Sequence, residues 1–266
     1  MRRDFVPVDT LCARLSSDGK NHAVRSGKAW IIEINGVERP YGPNCAAEIL
    51  GDAFAAAKSV VPDLTRHDLM KLDELGHTGG CGGGRHGRGE EDRDEEQHRH
   101  ALAVAYLVLR GTALATVPGI NPGVNNYGAL VGLCSRYRIN HSLTADEVEA
   151  VLRIEAAAEA RAFVFSRKNL MTVYAAHHQL LRKRQEAVKD VESMRKRPWA
   201  DRVAYNDRVK KLSEHVSRID SVNSQLLKKL YISAAQRKMM GLELPAGSFP
   251  PNKCRPTKRP AIPLGT

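Results

Sequence analysis

No glycine or proline occurs between Thr144 and Arg197. An uninterrupted run of this kind permits a helix of up to about 80 Å, at roughly 1.5 Å per residue. The run opens on Thr144-Ala145-Asp146-Glu147, which has the form of a capping box: the threonine hydroxyl accepts from an orphan N–H and the glutamate reaches back to the cap. A mostly apolar stripe then runs through Phe163, Leu170, Val173, His177, Leu180, Arg184, Ala187, Val191 and Met194, in alternating steps of three and four for most of its length. After Pro198 the pattern resumes at Tyr205, Val209, Leu212, Val216, Ile219, Asn223, Leu226 and Leu230. These are heptad a and d positions, and a coiled coil is the simplest reading.

Proline suits the first turn of a new helix and disrupts an interior, so Arg195-Lys196-Arg197-Pro198 marks a break. If the chain folds back there, equidistant residues meet, and Asn223 falls in the layer of His177. Two polar groups in an apolar seam would fix its register. If it does not fold back, helices from two copies pair and the heptads specify a homodimer. The periodicity leaves both open.

Ahead of the long run the grammar differs. Trp30 to Ile34 reads as a strand, Asn35-Gly36 as a type I′ hairpin turn and Val37 to Arg39 as the returning strand. After Tyr41-Gly42-Pro43-Asn44 an alanine-rich helix starts near Cys45, where a helix N-terminus favours a thiolate. Aromatic residues make up only 5% of the chain, so the interior is built from Ala, Val, Leu and Ile, which favours helices over a sandwich or barrel. The expected fold class is mainly α: a small N-terminal α+β module (hairpin plus helix), short central helices, and a long C-terminal antiparallel helical hairpin or coiled coil. The boundaries fall at 1–75 for the module, 76–95 for a flexible Gly-rich and acidic linker, 96–141 for the short helical region, 142–240 for the hairpin and 241–266 for a disordered, basic, Pro-rich tail.

Cys12 in "LCARL" and Cys45 in "YGPNC", with the hairpin between them, resemble the small zinc-knuckle or treble-clef modules of phage and plasmid accessory proteins, over residues 9–50. Those modules carry C-x-x-C near the start, and this chain has Asp9 where the first cysteine would stand. The resemblance implies zinc held by Cys12, His22 and Cys45, with Asp9 as a candidate fourth ligand. A metal-free module held by its own small core is the alternative.

The stretch "GHTGGCGGGRHGRGEEDRDEE" contains G-x-G-x-x-G at Gly82 to Gly87. A helical pattern precedes it and an acidic run that repels phosphate follows, which argues against a dinucleotide site. His77, Cys81 and His86, with His98 or His100, form a second conceivable zinc set. Glu95-x-x-His98 is half of a di-iron motif without its second copy. A linker is the preferred reading.

Charge divides the chain. The net charge is +11; residues 1–141 hold 17 Lys+Arg and 17 Asp+Glu, whereas residues 142–266 hold 24 and 13. Between Arg182 and Lys211 there are eleven cations and five acids, around Trp199. That asymmetry points to a polyanion, and nucleic acid (DNA or RNA) is the expected partner. The candidate contacts are Arg182, Lys183, Arg184, Lys189, Arg195, Lys196, Arg197, Trp199, Arg202, Lys210 and Lys211, with phosphate contacts supplying affinity and the indole stacking. A coiled-coil scaffold that dimerises or binds another protein is the competing class.

No H-E-x-x-H, G-x-S-x-G or P-loop occurs, so no enzyme is expected. The longest apolar run, Ala101 to Leu109, falls short of the roughly 20 residues of a membrane helix. "MRRDFVPVDTLCARL" lacks the apolar core of a signal peptide. Five scattered cysteines suit reduced thiols. The expected location is therefore cytoplasmic, with no membrane partner.

Overall fold

A computed structural model describes residues 1–7, 9–16, 19–65, 88–125, 128–196 and 201–244. Most of the expected linker (with His77, Cys81, His86 and the Gly82 to Gly87 motif), Arg197, Trp199 and most of the tail lie outside the described residues.

The N-terminal module is a three-stranded antiparallel sheet in the order β1-β4-β5 (Arg2–Phe5, Lys28–Ile34, Val37–Tyr41). Beside it lies a second hairpin, β2 (Leu11–Leu15) with β3 (Asn21–Ala23). Asn35 and Gly36 both have positive φ, 53° and 76°, as the turn between β4 and β5 requires. Helices α1 (Pro43–Leu50) and α2 (Asp52–Val60) close the module. Its core is Cys12, Val24, Ala29, Trp30, Ile32, Tyr41 and Ala46.

The helical body follows. Helix α3 (Arg88–Val108) starts well before residue 96, so the acidic run from Glu90 is its first turns rather than linker. Negative residues near a helix N-terminus complement its dipole. At its other end α3 widens into a π-helical turn, Leu109–Ala113, which carries Arg110 into the interior. The buried guanidinium donates to the carbonyls of Val124 (2.8 Å) and Gly123 (2.9 Å) and to the Tyr106 hydroxyl (2.9 Å). It also lies against the rings of Tyr106 and Phe165. Arg110 thereby fastens the turn-rich 117–125 segment, and Asn121 ties that segment to the carbonyl of Lys228. Helix α4 (Gly128–Asn140) then packs back on α3, as its apolar sequence suggests.

Thr144 and Glu147 form the full capping box at the start of α5 (Ala145–Arg161). The long run then departs from expectation: it is two helices. Ala162 leaves the helical region (φ −147°, ψ 62°), Phe163–Phe165 forms a 3-10 turn, and Ser166 caps α6 (Arg167–Arg195) by accepting from the Asn169 N–H. No proline or glycine is needed, because tertiary contacts hold the corner open. The Phe165 carbonyl accepts from the Tyr106 hydroxyl at 3.0 Å, the Val164 carbonyl accepts from Asn169, and Arg167 on α6 pairs with Glu155 on α5 at 3.0 Å. Helix α5 consequently packs on α3, and the hairpin consists of α6 and α7 (Arg202–Lys229), followed by α8 (Ala234–Met240).

The hairpin is antiparallel with the anticipated register. Leu170, Val173, Leu180, Ile219, Leu226 and Leu230 are buried along the seam, and His177 Nδ1 lies 2.8 Å from Asn223 Oδ1. Arg184, formally a seam position, is exposed and reaches across to Asp220.

Strand β1 docks the module on α6. The buried Asp4 carboxylate accepts from the Tyr174 hydroxyl (2.7 Å), from Arg2 Nε (3.0 Å) and from the Phe5 N–H (2.8 Å). Phe5 stacks on His178 with ring centroids 4.8 Å apart. Burial, and secondarily Asp4, pushes the Tyr174 phenol up, so it stays protonated and donates.

Two outcomes follow from these contacts. A methyl group on Gly111 would fall 2.1 Å from the Cys134 sulfur. Gly111→Ala is expected to destabilise the chain by about 1–3 kcal/mol in denaturant unfolding, with most of the loss recovered when Cys134→Ala is added. Burial, then His177, lowers His178 to about 3, and burial lowers His177 as well. The unfolded chain takes up protons on both rings near 6.5, before the folded one does, so stability present at neutral pH falls as pH drops below 6.5. The expected slope is at most about 1.4 kcal/mol per pH unit for each histidine. It should flatten in His178→Gln, measured by urea unfolding between pH 7 and 5.

Candidate metal centre and basic surface

Cys12 on β2, His22 on β3 and Cys45 in the first turn of α1 converge in the module. Their ligand atoms all lie within 4.8 Å of one another, so the group could hold a metal ion. The irregular β2–β3 pairing, with a register shift between Leu11 and Leu15, sets residues 12 and 22 on the same side of the hairpin as the helix start. Gly42-Pro43 then turns the chain from β5 into α1 with Cys45 facing them.

Cys45 Sγ is 3.4 Å from His22 Nε2. A tetrahedral ion with about 2.3 Å to sulfur and about 2.05 Å to nitrogen would place these atoms about 3.6 Å apart, so the observed edge fits with little movement. Cys12 is fully buried and accepts from the Gly42 N–H at 3.5 Å, the outer contact that orients a thiolate ligand. Burial, and then neighbouring Cys12, raises the Cys45 thiol, while Arg14 acts in the opposite direction. Two thiols this close resist ionising together unless a cation lies between them, and a coordinating cation deprotonates them.

Asp9 does not join the set. Its carboxylate is taken by Lys189 (2.9 Å) and Gln185 (2.8 Å) on α6, so three protein ligands are present among the described residues. Glu95 and His98 enter no such group among the described residues. The Gly42 contact was missed from sequence; its signal was the tight Gly-Pro entry to the helix.

The basic residues do not form one tip. Arg182, Lys183 and Lys189 face a groove between the module and α6. Arg195 and Lys196 end α6 and Arg202 opens α7 at the bend, whereas Lys210 and Lys211 lie two turns farther along α7. From Arg182 to Arg195 the helix rises about 20 Å, and from Lys189 to Arg195 about 9 Å, so the cations spread along the helix and not around one point.

Nor are all the cations free. Arg182 pairs with Glu186 (3.0 Å), Arg184 with Asp220 (2.7 Å), Lys189 with Asp9 (2.9 Å) and Lys211 with Asp207 (2.7 Å). Lys183, Arg195, Lys196, Arg202, Arg208 and Lys210 have no ion-paired carboxylate among the described residues.

Comparison with family models, with characterised proteins and with solved structures finds no match. Among the described residues, no helix is long and apolar enough to cross a membrane.

Because two thiols must lose protons on coordination, affinity for a divalent ion should weaken as pH falls, by up to about a hundredfold per pH unit in the acid limit. Cobalt(II) titration between pH 8 and 6, read by thiolate-to-metal absorbance, checks this. Cys12→Ala should abolish the band.

Proposed function

We propose that this chain is a noncatalytic nucleic-acid-binding accessory protein of the kind carried by phages or mobile elements, acting in the cytoplasm. The observation that carries this reading is the set of cations around the hairpin bend, Arg195, Lys196 and Arg202, without carboxylate partners among the described residues. Isolated cations gain more from phosphate than paired ones do. The paired cations also remain usable, since their ion pairs are exposed and such pairs are worth only about 0–1 kcal/mol.

Zinc is the ion assigned to Cys12, His22 and Cys45. Two thiolates and an imidazole match its preference, with water or a further ligand in the fourth position. Its work there is structural: it would clamp the β2–β3 hairpin to α1, and thereby hold Asp9 against Lys189. Reduced thiols at the centre suit a reducing compartment. The scaffold reading gains less support, because the heptad residues already pack against one another within a single chain.

The test is binding to a labelled oligonucleotide across a salt series. Affinity should fall steeply with salt. The triple substitution Arg195→Ala, Lys196→Ala, Arg202→Ala should flatten the log–log slope by about 2–3, at roughly 0.7–0.9 per phosphate contact. Affinity indifferent to salt would defeat the proposal. Elemental analysis of purified protein should find close to one zinc per chain, and Cys45→Ser should lose it.

A further inference from the structure

We infer that the groove between the N-terminal module and α6 is the seat of a single polynucleotide strand, which deepens the nucleic-acid reading and rests on it. The groove has a volume of about 1040 Å³ and opens to solvent. One wall is β1 and the turn into β4, with Phe5, Val6 and Lys28. The other is the middle of α6, where the segment after α8 closes the end. Two reciprocal hydrogen bonds, Gln179 Nε2 to the Glu243 carbonyl (2.8 Å) and the Glu243 N–H to Gln179 Oε1 (2.9 Å), hold that segment in place.

The lining alternates in character as a polynucleotide does. Arg182 and Lys189 stand seven residues apart on α6, about 10 Å along the axis, with Lys183 beside them and Lys28 opposite. Leu181 and Val188 form a parallel row with the same spacing, and Leu181 is exposed. The module adds Phe5 and Val6. Phosphates carry charge and bases carry flat apolar faces, so a strand lying in the groove meets cations with one side and the leucine, valine and phenylalanine with the other. Neither Lys28 nor Lys183 has a carboxylate partner among the described residues.

Three acids also line the groove. Glu186 is engaged by Arg182, Glu192 and Glu243 line the groove beside the cations, and Arg184, also in the lining, is paired with Asp220. The Arg182–Glu186 and Lys189–Asp9 pairs are exposed and cheap to exchange for phosphate. A duplex, with its bases stacked inside, offers the apolar row no base face. An acidic peptide would satisfy the cations but leave the apolar row uncovered.

Anisotropy titrations at low salt on the full chain separate the alternatives, using a labelled oligothymidylate, a duplex of equal length and poly-glutamate as competitor. Single strand should bind at least tenfold tighter than duplex, and poly-glutamate should compete poorly. Lys28→Glu with Lys183→Glu should weaken single-strand binding tenfold or more, with far-ultraviolet circular dichroism unchanged. Leu181→Ser should weaken single strand but leave duplex binding alone, a split that loss of folding would not produce. Groove variants that bind like the parent while the bend variants lose affinity would overturn the groove assignment and leave the nucleic-acid reading standing. Equal affinity for duplex, or full competition by poly-glutamate, would also overturn it. Failure of the parent chain to bind any nucleic acid would remove both.

Discussion

The structure leans on the apolar seam between α6 and α7. Helix α6 meets α7 along the seam, the 3-10 corner before it, β1 through Tyr174 and His178, and the segment after α8 through Gln179. Most of the stability of these 28- and 29-residue helices comes from burying one side of each against the other. The His177–Asn223 bond costs the seam some apolar burial and in exchange penalises any shift in register, since a slide by one layer would strand both groups. A fixed register also fixes where Tyr174 and His178 stand to receive the module.

The attachment of the module is polar at its centre and apolar around it. Asp4 is a buried carboxylate, tolerable because Arg2, the Phe5 N–H and the Tyr174 hydroxyl surround it. The Phe5–His178 stack shields that cluster, which explains why burial keeps both seam-edge histidines neutral. The metal group joins the β2–β3 hairpin to α1, elements too short to hold each other. With seven buried residues in the module's core cluster among the described residues, cross-linking by an ion would contribute a large share of its stability. The proposed groove lies between these two anchors, so its walls are positioned by Asp4 on one side and Asp9 on the other.

Much of the candidate site was legible in residue order. Cys12 and Cys45 stood out by their hairpin-then-helix context, and His22 by its position within the hairpin. Asp9 was misplaced, because a carboxylate three residues before a cysteine looks the same whether it turns inward to a metal or outward to a lysine 180 positions away. The cationic run was equally visible, but its division was not. A helix carries residues thirteen apart about 20 Å from one another, and only the docking of the module on one of those levels turns part of the run into a groove.

By itself the sequence determined the elements whose signals are local: the heptad stripes of α6 and α7, the Asn35-Gly36 turn, the Thr144 capping box and the uneven charge. Each depends on residues within a few turns, or on a period the chain repeats. Tertiary structure alone decided the break at residues 162–166, the inward turn of Arg110, and the addition of β1 to the sheet. At the first, helix propensity favours continuing, and the corner forms because Tyr106, Asn169 and Glu155 collect the groups it frees. At the others the partner is distant in sequence, so the free energy that selects the conformation is absent until the chain has folded.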